Sequence, residues 1–234
     1  MRVSIIIPTY QHADTLPACL EAVFAQTYPV YEVIVVDDGS TDHPEQAIEP
    51  FRSRVRFVRK DHQGGCAARN AGFALSTGDA VLFCDADLIM SSEMIEQLVA
   101  ALAQHPEVAY AYSGFRFGWK TFSSFPFRAH RLREMNFIHT SALIRRDDFP
   151  GFDPAIRRFQ DWDVWLTLLK RGKEGAYVNR ELFHVLEARG RVGISKWRPA
   201  LLYRLPWHLM PWKPLSVRAY EEARQVIWKK HNLV

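Results

Sequence analysis

The chain opens on a largely β-branched run, Val3 to Ile7, whose lack of alternation predicts a strand buried on both faces of a parallel sheet. Leu16, Cys19, Leu20, Val23 and Phe24 then recur at helical spacing, with Asp14 or Thr15 as N-cap and Pro17 tolerated in the first turn. Glu32–Val36 and Val55–Arg59 read as the second and third strands, and a helix from about Cys66 to Leu75 leads to a fourth, Ala80–Cys84. Ile95, Leu98, Val99 and Leu102 mark another amphipathic helix, capped by Ser91 or Ser92, and Val108–Tyr112 reads as a fifth strand. This alternation predicts an α/β domain with an open, mostly parallel central sheet and helices on both faces.

The second half is less regular. Ser113 to Asn136 is aromatic and basic and reads as an ordered loop with short strands. His139–Arg145 is expected as a strand, Asp161–Arg171 as a helix, and Ser216 as the cap of a final helix to about Lys230. With no internal repeat and no low-complexity linker, the chain divides into one domain over 1–195 and a basic, aromatic, helical C-terminal appendage over 196–234 packed on it.

Composition narrows the setting. A chain of 234 residues suits one substantial α/β domain, and a 48% hydrophobic, 24% charged make-up is globular. Three cysteines, Cys19, Cys66 and Cys84, without C-x-x-C spacing, read as reduced thiols, which disfavours a zinc cluster. Val3–Ile7 is too short for a signal-peptide core, and no apolar stretch approaches the roughly 20 residues that span a bilayer. A cytoplasmic protein is expected. The net charge of +4 points to an anionic partner such as a phosphate ligand or a lipid surface. The basic residues form no long run, so nucleic acid is not expected as a partner.

In an open α/β sheet, ligands bind beyond the carboxyl ends of the strands. Each of the first four strands delivers a polar or turn motif there: Pro8-Thr9-Tyr10-Gln11, Asp37-Asp38, Lys60-Asp61 and Asp85-Ala86-Asp87. Asp85 and Asp87, one residue apart after a buried strand, can face one Mg²⁺ or Mn²⁺ and leave positions open for phosphate oxygens. A plain strand-ending turn would also carry two acids, but the apolar residues on either side place these in a cleft. Asp37-Asp38-Gly39-Ser40 reads either as an Asx-type turn or as a base site, with one Asp accepting from a uracil or thymine N–H and Tyr10 offering a flat face. Gly64–Gly72 joins a glycine-rich turn to a helix of small residues that can lie close to the sheet. Arg69 on it is free to pair with a diphosphate. The glycines match neither the dinucleotide fingerprint nor the P-loop. Asp161 and Asp163 lie too far apart around a helix to share a face, so one is expected at the cleft and the other as a cap or in solvent. Trp162 and Trp165 read as core, with a sugar platform as the alternative for Trp162.

Taken together these motifs resemble the family 2 glycosyltransferases, inverting enzymes of the GT-A fold. The resemblance runs through Ile5-Ile6-Ile7-Pro8-Thr9-Tyr10, Val35 to Asp42, Ala68-Arg69-Asn70-x-Gly72, Asp85-Ala86-Asp87, Gly151-Phe152-Asp153 and Asp161 to Leu166, over roughly residues 1 to 175. It implies a nucleoside pocket lined by Pro8, Thr9, Tyr10 and Asp38, with Arg69 and the Asp85-Ala86 turn holding the nucleotide-sugar. It implies Mn²⁺ or Mg²⁺ on Asp87, with Asp85 beside it and His184 as a late metal or phosphate contact. Asp161 matches the catalytic base, usually the second residue of a Glu-Asp pair; here the pair is Gln160-Asp161. The implied reaction is metal-dependent transfer of a sugar from a nucleoside diphosphate, by default uridine-linked, to a hydroxyl of a glycan or lipid-linked acceptor, as in cell-envelope polysaccharide synthesis. A nucleotidyltransferase and a non-catalytic sugar-nucleotide-binding module are the competing readings. The tryptophans, prolines and basic residues of 196–213 read as a loop over the acceptor side or as a peripheral membrane contact.

Overall fold

The computed structural model describes residues 1–122, 124–186 and 214–233. Among them nine strands form one sheet, in the order β3-β2-β1-β4-β8-β6-β9-β5, with β7 paired to β6. Its first half is parallel as the alternation predicts. β1 (Val3–Thr9) lies between β2 (Glu32–Asp37) and β4 (Ala80–Phe83), and β3 (Arg56–Arg59) flanks β2.

The second half is mixed. β8 (Leu143–Arg145) runs against both β4 and β6 (Tyr110–Phe117), while β9 (Gly175–Val185) runs parallel to β6 and antiparallel to β5 (Leu88–Met90). The reason is connection length. Four residues, 84–87, separate β4 from β5, too few for a crossover, so β5 leaves its predecessor and pairs against β9. β9 and β5 carry no predicted strand signal, and β9 is bulged against β6 at Ser113–Gly114. The segment from Ser113, expected as an ordered loop with short strands, holds the end of β6 and β7 (Lys120–Phe122), and adds a helix that was not expected, α5 (Ala129–Glu134).

Helices cover both faces. α1 (Leu16–Phe24) and α4 (Met94–Gln104) pack their apolar stripes with Ile5 and Ile7 of β1. On the other face Ile6 meets Cys66 in a cluster that includes Trp162 and Trp165 of α6 (Gln160–Lys170). α3 (Gly65–Leu75) lies against β1 and β2, so close that a Cβ on Gly72 would run into Ile6 and stand 3.2 Å from Val36. Glycine at 72 is therefore a packing requirement.

Thr15 occupies the N-cap of α1 as expected, though without a side-chain bond to the helix; the other caps shift, with Glu93 rather than Ser91 or Ser92 preceding α4 and Pro214 rather than Ser216 preceding α7 (Leu215–His231). Residues 196–213 and the 195/196 boundary lie outside the described residues. α7 packs on α6, and no described helix is long and apolar enough to cross a membrane.

Candidate active site

The ends of β1 and β2 build the first wall. Asp37 is fully buried and closes its turn by accepting the Ser40 N–H at 2.9 Å. Asp38 has only 2% of its surface exposed and is saturated. Its Oδ1 accepts from Lys60 Nζ at 2.7 Å and the Gln63 N–H at 3.1 Å, and its Oδ2 from the Gly64 N–H at 2.7 Å; His62 Nδ1 lies 2.9 Å from Oδ2 and hydrogen-bonds the Asp38 main-chain carbonyl at 3.1 Å. Gly64 makes its bond from φ +92°, a conformation that favours glycine. Burial works against the Asp38 carboxylate, but these donors outweigh it and hold its pKa below the ordinary range. Asp38 thus anchors the loop after β3, and a base N–H would reach it only by displacing a donor. Tyr10, half-exposed, stacks on His62 with ring centroids 4.1 Å apart. Pro8 and Thr9 end β1 beneath them; the Thr9 hydroxyl is buried and has no hydrogen-bond partner.

The second wall is the turn after β4. Arg69 of α3 donates from Nη2 to Asp85 Oδ1 at 2.6 Å and from Nη1 to Gln160 Oε1 at 3.2 Å. Both terminal nitrogens are engaged with protein, so Arg69 enters the site first as the partner of Asp85. Gln160 supplies the acceptor that an acid would offer there, without its charge. Burial pushes Asp85 up, yet Arg69, with His139 and His12, turns the net shift downward. Asp87 has no ion pair among the described residues. Burial and the charge of Asp85 push its carboxyl up to about 7. Ala86 between them is buried, and Cys19 and Cys84, Sγ atoms 3.6 Å apart, pack behind the turn as free thiols.

The third wall is the start of α6. Asp161 Oδ2 accepts from Asn136 Nδ2 at 2.8 Å, and Oδ1 from the Trp162 N–H at 2.9 Å. Burial raises its pKa above the ordinary carboxylate range, against the pull of Asn136, His139 and Arg69. Trp162 and Trp165 are core, as expected, and donate to the carbonyls of Leu132 and Ile138 at 2.6 and 2.9 Å. They pin the chain that carries Asn136 and His139. The expectation for Asp163 is overturned. It neither caps nor faces solvent but is buried against α7, accepting from Lys230 Nζ at 2.9 Å and pairing with His231 Nε2 at 2.7 Å.

Two motifs join through Asn70, whose amide accepts the Phe152 N–H at 2.9 Å and donates to the Phe152 carbonyl at 2.8 Å. His184 lies on β9 opposite Ile89, on the strand that follows the Asp85-Asp87 turn. Asn136 and His139 escaped sequence reasoning. One sits in a segment read as loop and the other at the start of a predicted strand, and neither position carries a local signal.

A mixed α/β sheet gathers carboxylates at its strand ends, and a partly buried acid, Asp161, opens the helix α6. The model of the family described as "Glycosyl transferase family 2" matches residues 4–160, and the chain belongs to that family. It is 34% identical over 176 residues to the uncharacterized glycosyltransferase YibD of Escherichia coli, covering 73% of this chain and 48% of that one. The chain thus spans about half the length of that relative. Among solved structures it is similar to S. aureus TarS 1-349 in complex with UDP-GlcNAc, with a TM-score of 0.68 and 18% identity over 82% of this chain and 60% of that one. It is also similar to the mannosyltransferase PcManGT of Pyrobaculum calidifontis in complex with GDP-Man and Mn2+, with a TM-score of 0.66 and 22% identity, covering 81% and 58%. The fold is GT-A.

Proposed function

We propose that this chain transfers a sugar from a nucleoside diphosphate, uridine-linked, to a hydroxyl of a glycan or lipid-linked acceptor, inverting the anomeric carbon. One observation carries the reading: Arg69 joins Asp85 to Gln160, the neighbour of Asp161, so the donor-holding turn and the base meet within one guanidinium's reach. The UDP-GlcNAc and GDP-Man complexes of similarly folded proteins support a sugar-nucleotide donor.

The base rests on Tyr10, above Pro8 and Thr9, and its ring N–H reaches Asp38 Oδ2 by displacing His62, more exposed at 54% than Lys60 at 19%. Asp87 and Asp85 fit Mn²⁺ or Mg²⁺: both are hard oxygen donors, and among the described residues Asp87 lacks the ion pair that Asp85 makes with Arg69. Bound there, the cation supplies positive charge toward the leaving diphosphate. His184 is a further candidate contact for the cation or a phosphate. Asp161 takes the proton from the acceptor hydroxyl as its oxygen bonds to the anomeric carbon. The bond to the diphosphate oxygen breaks, the diphosphate leaves with the electron pair, and one displacement from the opposite face inverts the configuration. Asn136 keeps the Asp161 carboxylate turned to the cleft. A lipid-linked acceptor would suit peripheral membrane contact through 196–213, which co-sedimentation with anionic vesicles tests.

UDP release from UDP-glucose, UDP-galactose and UDP-N-acetylglucosamine, measured with and without Mn²⁺ in wild type and Asp161→Asn, tests the whole. Metal-dependent release in wild type, lost in the variant while UDP affinity persists, is expected. Wild-type turnover in the variant would remove Asp161 as base, and no response to any donor would remove the transferase reading.

A further inference from the structure

His139 is held on both sides and by one of its own nitrogens. Its ring lies against Phe115 of β6 and Phe183 of β9, at centroid distances of 4.9 and 5.0 Å. Its Nδ1 accepts the Ser141 backbone N–H at 3.1 Å. A nitrogen that accepts carries no proton, so the neutral ring has its proton on Nε2. Among the described residues nothing accepts from that Nε2–H.

The surroundings say what such a donor is for. Asp85 and Asp161 both act on the ring, as does Arg69. Asp85, Asp87 and Asp161 offer acceptors only when ionised, and Arg69 is committed to Asp85 and Gln160. A sugar presents hydroxyls that both donate and accept, so a site built of carboxylates alone leaves hydroxyl oxygens without a donor. A lysine in this place would fold onto the acids as an ion pair. An imidazole clamped between two rings, with its Nδ1 accepting from Ser141, keeps its Nε2 hydrogen for the ligand.

We propose that His139 is a binding residue for the transferred sugar, donating its Nε2–H to a sugar hydroxyl between the Asp85-Asp87 turn and Asp161. The inference rests on the proposed function and deepens it. It also gives His139 a role distinct from that of Asp161: with its Nδ1 lone pair taken by Ser141, the neutral ring has no lone pair left to accept a proton.

The test compares His139→Phe, which keeps the aromatic clamp and removes the donor, with His139→Gln, whose amide reaches the region of Nε2. Calorimetric titrations with UDP and with the tightest-binding of UDP-glucose, UDP-galactose and UDP-N-acetylglucosamine, all with Mn²⁺, separate nucleotide from sugar. The Phe variant should keep its melting temperature and its UDP affinity and lose about tenfold in UDP-sugar affinity and kcat/KM, the scale of one hydrogen bond. The Gln variant should recover most of this, and the acid limb of the pH profile should persist in both. If the Phe variant melts early, His139→Met repeats the comparison without a ring. Equal loss for UDP and UDP-sugar, no loss for UDP-sugar, or loss of the acid limb overturns the assignment. A wild-type protein that binds UDP but no UDP-sugar removes the transferase reading and this inference together, an outcome distinct from a failure confined to the variants.

Discussion

Arg69 holds Asp85 at 2.6 Å from a helix that precedes it in the chain, with only 12% of the arginine side chain exposed. Removing that cation leaves Asp85 and Asp87 as two carboxylates one residue apart with no charge to balance them. Arg69→Ala is expected to lower kcat/KM by about a hundredfold or more, because a charged hydrogen bond that positions a reacting group is worth roughly 2–3 kcal/mol. Arg69→Lys should recover only part, since an ammonium cannot span Asp85 and Gln160 at once. Steady-state kinetics on the three proteins at saturating Mn²⁺ measure this.

Burial raises Asp161 above the ordinary carboxylate range, and Asn136 lowers it in part. Activity needs the ionised form, so kcat/KM should fall as pH drops through that raised pKa and be flat above it. Asn136→Ala removes a donor to the charged form and should move the acid limb further up. Gln160→Glu places a negative charge beside Asp161 and draws on Arg69, so it should move the limb the same way. A limb that stays put in both variants would take the titration away from Asp161.

Asp87 links pH to metal. Its carboxyl is pushed up to about 7 in the folded protein, against an unfolded value of 3.8. A raised folded pKa means the folded state holds the extra proton, so this contribution is fully present below 3.8 and is lost as pH rises through about 7. The metal-free protein should therefore melt at a lower temperature at pH 8 than at pH 6. Mn²⁺ competes with that proton, so its stabilising effect should be larger at pH 8. Thermal melts at the two pH values, with Mn²⁺ and with a chelator, show the crossing. Asp87→Asn should flatten both trends.

The sequence carried the parallel half of this fold and the donor side of its site, because both are written locally. The runs Val3–Ile7, Glu32–Val36 and Ala80–Cys84 are apolar but for Ser4 and Glu32, and each ends on polar residues at the same sheet edge. β9 was not legible: its middle is exposed and polar, and its pairing with β6 is set by neighbours some sixty residues away. His139 and Asn136 face Asp161 only after Trp162 and Trp165 have fastened that stretch to α6. Asp163 misled for the same reason. Near the start of a helix an acid looks like dipole compensation, and its real partners lie 67 and 68 residues on.

Those partners make the last helix part of the catalytic domain's stability. Lys230 bridges Asp163 at 2.9 Å and Asp153 at 2.6 Å, and His231, also buried, closes on Asp163 at 2.7 Å. The Asp163 side chain is only 4% exposed, so a variant that strips its partners leaves a buried charge uncompensated. Lys230→Met alone should cost about 1–2 kcal/mol, because His231 remains and the lysine is partly solvated. Lys230→Met with His231→Leu should cost about 3–5 kcal/mol, the scale of breaking a buried pair. Adding Asp163→Leu to that double variant should return much of the loss, since no charge then remains to bury. Urea denaturation reports the stabilities. Asp163 stands two residues from Asp161 on α6, so the double variant should also lower kcat while UDP affinity, built on the far side of the cleft, is unchanged. Equal stability in the double variant and wild type would mean that α7 rests on the domain without holding it.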